Sequence, residues 1–147
     1  MSSEWADAVC KAWNENKTLV NELAGDWMKN NGKRGYKVIH LYRSDCADSP
    51  RVELTITEKP GEASCGYGGS IKHQDLNSDM DYVMYATDED WQCMGDGVWG
   101  CGPMGAMATG KLNFEGPQFE AMSVMGPFEE FLLLTGKVNA DRDSCPK

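Results

Sequence analysis

Residues 52–57 read Val-Glu-Leu-Thr-Ile-Thr, so Val52, Leu54 and Ile56 alternate with Glu53, Thr55 and Thr57. Successive side chains of a strand point to opposite faces, and this run predicts a strand with one buried and one wet face. Just before it, Tyr36–Tyr42 is rich in aromatic and β-branched residues, with Tyr36, Val38, His40 and Tyr42 on one face. Pro60-Gly61 then predicts a turn into a third strand over Ala63–Gly68, which makes these residues a meander. The Gly66-Tyr67-Gly68-Gly69 run lacks the Lys-Ser/Thr that a phosphate loop needs and reads as a glycine-bearing strand end.

Helical spacing surrounds this meander. Trp5, Val9, Ala12 and Trp13 recur at intervals of three and four behind Ser2 or Ser3 as N-cap, and Val20, Leu23 and Trp27 continue a second stripe up to Asn31-Gly32. After a loop over about Ser70–Asp79, Asp81–Ala86 reads as a fourth strand. Thr87 caps a helix over Asp88–Met94 whose first three residues are acidic, as the positive end of the helix dipole favours. A short helical stretch at Pro103–Ala108 precedes a fifth strand at Lys111–Glu115, with Leu112 and Phe114 inward. Two helices, Pro117–Met125 and Pro127–Leu134, follow; each opens on a proline, and Gly126 and Gly136 close them. Helices, three strands, a loop, then strand, helices, strand and helices is not βαβ alternation, so the class is α+β. The 147 residues suit a single domain, with the N-terminal helices in 1–30, the first three strands in 36–68 and the rest in 81–135.

Composition removes several functions. The net charge is −9, and all of it lies in residues 75–147, which carry four basic and thirteen acidic side chains. Nucleic acid and anionic lipid both need clustered Lys and Arg, so neither is an expected partner beyond transient membrane contact. No apolar run is long enough to span a bilayer. The acidic, polar start lacks the basic and apolar segments of a secretory signal, which predicts a cytoplasmic protein. Cysteines stand at 10, 46, 65, 93, 101 and 145 with no Cys-x-x-Cys. With no export signal, buried or free thiols are the expectation, rather than a disulfide framework or a metal site.

The two histidines read as ordinary ones: His40 in the first strand as a structural or surface residue, and His73 in the polar loop as a solvated one. No hydrolase elbow, metalloprotease helix or dinucleotide fingerprint occurs, and no catalytic residue or cofactor is assigned. Methionine stands out instead. Seven of nine lie between 80 and 125, interspersed with Trp91, Trp99, Phe114 and Phe119. Methionine lines surfaces that accept apolar partners of varied shape, although core packing explains such a stripe as well.

From Asp81 onward the chain resembles the sterol carrier protein type 2 (nonspecific lipid-transfer) family. Met107-Ala108-Thr109-Gly110-Lys111-Leu112-Asn113-Phe114-Glu115-Gly116 is similar to that family's Met-x-Thr-Gly-Lys-Leu-x-(apolar)-x-Gly segment. Thr87-Asp88-Glu89-Asp90-Trp91 resembles its strand-then-acidic-helix passage, and Phe119-Glu120-Ala121-Met122 its helix after the last strand. The resemblance implies a five-stranded, mostly antiparallel sheet covered by helices on one face, with an apolar tunnel between sheet and helices. It implies binding and intracellular transfer of a fatty acid, fatty acyl-CoA, sterol or phospholipid, without chemistry. Trp91, Met94, Met104, Met107, Phe119, Met122, Phe128 and Phe131 are the expected cavity lining. Two other classes stay open: a thiol- or metal-dependent protein using Cys93 and Cys101, and an acidic interaction module or accessory subunit for a partner enzyme.

Overall fold

A computed structural model describes residues 1–46 and 51–138. Its elements are α1 (Ser3–Glu15), a π-helical turn (Thr18–Glu22), α2 (Asp26–Lys29), β1 (Tyr36–Arg43), β2 (Val52–Lys59), β3 (Glu62–Ser70), β4 (Tyr82–Ala86), α3 (Asp88–Gly95), α4 (Pro103–Ala108), β5 (Asn113–Glu115), α5 (Gln118–Met122) and α6 (Met125–Lys137). The sheet order is β3-β2-β1-β4-β5. Every neighbouring pair is antiparallel except β1 and β4, whose parallel pairing requires the long crossover between β3 and β4. The fold is α+β with a mostly antiparallel five-stranded sheet.

The helices cover one face of this sheet. Ser2 caps α1 by accepting from the Trp5 N–H, and the helix then buries Trp5, Ala6, Val9, Cys10 and Trp13. Against β3 it comes close enough that a side chain at Gly68 would collide with the Ala6 carbonyl oxygen. That glycine of the Gly66–Gly69 run makes room for a helix, not a phosphate. The Trp13 indole N–H donates to the Ala63 carbonyl (2.9 Å), and the Asn14 side chain bonds both backbone groups of Cys65 (2.7 and 2.8 Å).

A disulfide joins Cys10 of α1 to Cys65 of β3, with Cα atoms 5.3 Å apart, and a second joins Cys93 to Cys101 at 5.8 Å. No described cysteine is free. The expectation of unpaired thiols is thereby overturned, since helix packing brings together residues 55 apart in sequence. Cys145 lies outside the described residues.

The opposite face of the sheet departs from expectation too. Glu53 and Thr55 are buried, along with Val38, His40 and Val83. The loop after β3 lies over them. Lys72 and His73 donate their backbone N–H groups to Glu53 Oε1 (3.1 and 2.7 Å). Asp81 fixes the far end of that loop by accepting from Arg34 in a bidentate pair (2.7 and 3.0 Å) and from the backbone of Val38 and Asn77. Burial on its own raises the Asp81 carboxyl, but these partners, Arg34 first, hold it below the usual range.

The last helices are partitioned differently from the glycine pattern. Helix α5 is only five residues long, and α6 begins at Met125 and runs through both Gly126 and Gly136. Gly136 does not stop α6. It faces Gly95 of α3 so closely that a Cβ there would stand 2.6 Å from Gly95 backbone atoms. Two glycines let the helices touch backbone to backbone.

Candidate functional site

Between the helical layer and the sheet lies an apolar cavity of about 40 Å³. Its wall draws on seven elements: Trp13 from α1, Trp27 from α2, Ile39 from β1, Tyr82 and Met84 from β4, Phe114 from β5, Ala121 from α5 and Phe128 and Phe131 from α6. Six of its aromatic rings follow one another around the space. Phe131 meets Trp13 edge-on at 5.7 Å, Trp13 meets Trp27 at 6.4 Å, and Trp27 stacks on Tyr82 at 6.0 Å. Phe114 lies 5.4 Å from Tyr82 and 5.9 Å from Phe128. These spacings suit offset and edge-to-face ring contacts. The void they leave is on the order of one water's share of liquid volume, ~30 Å³.

At one margin the apolar wall meets a buried polar cluster. Lys37 points from β1 toward the same side as Ile39 and Leu41, and its side chain has no exposure at all. Its ammonium sits 4.6 Å from the centre of the Trp27 ring and 5.3 Å from that of Tyr82. It donates to the Trp27 carbonyl oxygen (3.0 Å) and to Glu120 Oε1. Glu120 Oε1 also accepts from the Tyr82 hydroxyl (2.6 Å), and Oε2 from Asn30 Nδ2 (2.6 Å). The Trp27 indole N–H completes the circuit by donating to the Tyr82 oxygen (3.0 Å). Burial pushes the Lys37 ammonium down, and Glu120 pulls it back up in part. Burial and the adjacent carboxylate both raise the Tyr82 phenol, which stays protonated as a donor.

Sequence reasoning missed Lys37 and Glu120. For Lys37 the signal was present: a lysine in phase with Ile39 and Leu41 occupies a core position. For Glu120 no comparable signal exists, because a five-residue helix has too few turns to define its inner face.

Of the eight residues named from the sequence, Phe128 and Phe131 lie on the wall of this cavity. Trp91 is buried in a separate cleft between α1, α3 and α6, and its indole N–H donates to the Tyr42 carbonyl oxygen (3.1 Å). Met94 is buried beside Cys101 and Leu132. Met107 packs half-buried against the core, while Met104, Phe119 and Met122 project outward, with Phe119 91% exposed. Met84 is the methionine that reaches the cavity. The methionine-rich stretch is thus spread over several surfaces.

The histidines come together on the other face of the sheet. His40 Nε2 lies 3.2 Å from Glu53 Oε1, and His73 Nδ1 lies 2.7 Å from Glu53 Oε2, with the Thr55 hydroxyl donating to the same oxygen (2.7 Å). His73 is therefore a partly exposed loop anchor bonded to Glu53. His40 Nδ1 is buried without a partner, which places the ring proton on Nε2, facing the carboxylate. Among the described residues, no group of His, Cys, Asp and Glu is arranged to hold a metal ion. Cys93 and Cys101 are joined to each other, so neither offers the free thiol that a thiol-dependent reading requires. No described helix is long and apolar enough to cross a membrane.

No protein-family model matches the chain, and no curated protein matches it in sequence. Solved structures do match. A crystal structure of sterol carrier protein 2 superposes with a TM-score of 0.56 at 17% identity, over 94% of this chain and 98% of that one. The solution structure of a conserved hypothetical protein of Thermus thermophilus, possibly sterol carrier protein, gives 0.52 at 17% identity, over 96% and 90%. Identity this low speaks for the fold alone. Superposition over nearly the whole of both chains shows that the chain has the fold of sterol carrier protein 2.

Proposed function

We propose that this protein is a non-catalytic carrier that holds one apolar ligand between its sheet and its helices and passes it on within the cell. The observation behind this reading is the cavity itself, an aromatic and aliphatic enclosure reached from α1, α2, β1, β4, β5, α5 and α6 at once. The polar atoms at its margin bond one another, so a ligand meets a wall that asks for apolar contact.

Fatty acid, fatty acyl-CoA, sterol and phospholipid are the classes this proposal covers. Each is far larger than the present void, since ligand pockets run from roughly 300 Å³ upward. Loading therefore moves wall elements apart. Burying the ligand's apolar surface supplies about 25 cal/mol per Å² before ordering costs. Phe128 and Phe131 are the lining residues shared by this wall and the sequence-derived set.

Native mass spectrometry of freshly purified protein, beside the same sample denatured, tests the proposal. The expected result is an extra mass of a lipid's size that disappears on denaturation and extracts into organic solvent. A bare chain that also takes up neither palmitate nor cholesterol would overturn the carrier reading.

A further inference from the structure

An apolar cargo gives no reason for a buried lysine at the margin of the cavity. Taking an ammonium out of water costs several kcal/mol unless a counter-charge and hydrogen bonds go with it. Lys37 has both, yet the counter-charge does not come from the rigid sheet. It comes from Glu120 on α5, a five-residue helix with no side-chain cap.

That helix is turned inside out. Its carboxylate points in, while Phe119 and Met122 stand 91% and 51% exposed on the outside. An amphipathic helix normally does the reverse. The inversion has one visible effect: it delivers a carboxylate to Lys37, Tyr82 and Asn30 at the edge of the aromatic cavity. Trp27 and Tyr82 belong to both the polar cluster and the cavity wall, and Ala121, next to Glu120, lines the cavity.

We propose that Glu120 is an internal stand-in for the head group of the cargo, and that the cargo is a long-chain monocarboxylate. The inference rests on the carrier reading above. In the loaded protein the ligand carboxylate takes the place of Glu120 on the Lys37 ammonium, the Tyr82 hydroxyl and the Asn30 amide. Its tail runs into the enlarged space between Trp13, Phe114, Phe128 and Phe131, and α5 swings outward with Glu120 released to water. The exchange replaces one negative charge with one negative charge, so Lys37 stays neutralised throughout. A sterol hydroxyl in that position would strand a buried cation. The several phosphates of an acyl-CoA would bring more charge than one lysine balances. The small size of the present cavity belongs to the self-occupied form.

The experiment titrates the intact, disulfide-bonded chain with palmitate and with hexadecanol, which share a tail and differ in the head group. Wild type is expected to prefer palmitate by at least about tenfold, the worth of one charge-assisted hydrogen bond over a neutral one. Glu120→Gln weakens the internal competitor and is expected to raise palmitate affinity by about tenfold. Lys37→Met is expected to abolish the preference for palmitate over hexadecanol. Equal binding of the two probes by wild type overturns the head-group inference and leaves the carrier reading standing. So does a palmitate affinity that Glu120→Gln leaves untouched. Binding of neither probe overturns both. Should Lys37→Met fail to fold, the Glu120→Gln comparison decides alone, because that residue sits on a peripheral helix.

Discussion

Glu53→Gln keeps the volume of a buried side chain and removes its charge. In the wild type the Glu53 carboxylate is fully buried under the loop after β3. Burial by itself raises its carboxyl, but the hydrogen bonds from the His73 ring, Thr55 and the backbone of His73 and Lys72 outweigh this and bring it down to about 2 from an ordinary 4.5. Each unit of such a displacement is worth ~1.36 kcal/mol, so the carboxylate contributes about 3 kcal/mol to folding at neutral pH. Because the folded value lies below the unfolded one, the contribution is complete above pH 4.5 and is lost as pH falls toward 2. Urea unfolding at neutral pH should place Glu53→Gln about 3 kcal/mol below wild type, with the gap closing across that acid window. Burial also lowers the His40 imidazole, and His40 is present in both proteins. The difference between them therefore reports the carboxylate and its coupling to the ring. A gap that stays constant down to pH 2, or no gap at neutral pH, would refute the reasoning. The first result would mean that shape and not charge holds the loop down.

Three further outcomes follow from the packing. Reducing the Cys10–Cys65 bridge, or replacing both residues with Ser, should cost about 2–4 kcal/mol in urea unfolding, because the bridge closes a long loop of the unfolded chain; unchanged stability on reduction would show that these thiols are not paired. Gly136→Ala should lower Tm markedly, since even a methyl group meets Gly95 backbone atoms at 2.6 Å and overpacking typically costs about 1–3 kcal/mol. Phe131→Ala should cost about 3–5 kcal/mol and yet increase uptake of an apolar fluorophore, because the lost ring enlarges the present small cavity.

The strands were legible because their signals are local. The alternation in β2, the aromatic and β-branched run of β1 and the Pro60-Gly61 turn each lie within eight or so residues, and their registers follow once the strands pair. Thr87 accepts from the Asp90 N–H as a cap should, and α3 begins where the acidic run predicts. Reading failed where a residue's role depends on something distant in sequence. Glu53 looked solvent-facing because period-two alternation reports which side of a strand a residue takes, not what covers that side. Here a loop twenty residues on covers it. Gly136 looked like a helix stop because its conformational freedom is visible in the sequence, whereas its contact with Gly95 is not. Cys10 and Cys65 looked unpaired because their spacing carries no motif, and only the docking of α1 on β3 brings them together.

The site shows the same division more sharply. Methionine and aromatic content marked residues 80–131 as rich in lining material, but composition has no direction. Phe119 and Phe131 are the same residue type twelve positions apart, and one faces water while the other faces Trp13. Residues from the first half of the chain, Trp13, Trp27 and Ile39, complete the enclosure, so no window of the sequence contains it. Polar residues out of phase were the better guide. A lysine between Tyr36 and Val38 breaks the pattern of an otherwise apolar core face, and a chain selected for stability alone would place a methionine or leucine there. A glutamate turned inward beneath an outward phenylalanine breaks the pattern again from the other side. Two such violations that satisfy each other across 83 residues are unlike the errors a packed core accumulates. They have the form of a binding site that supplies its own ligand while it waits.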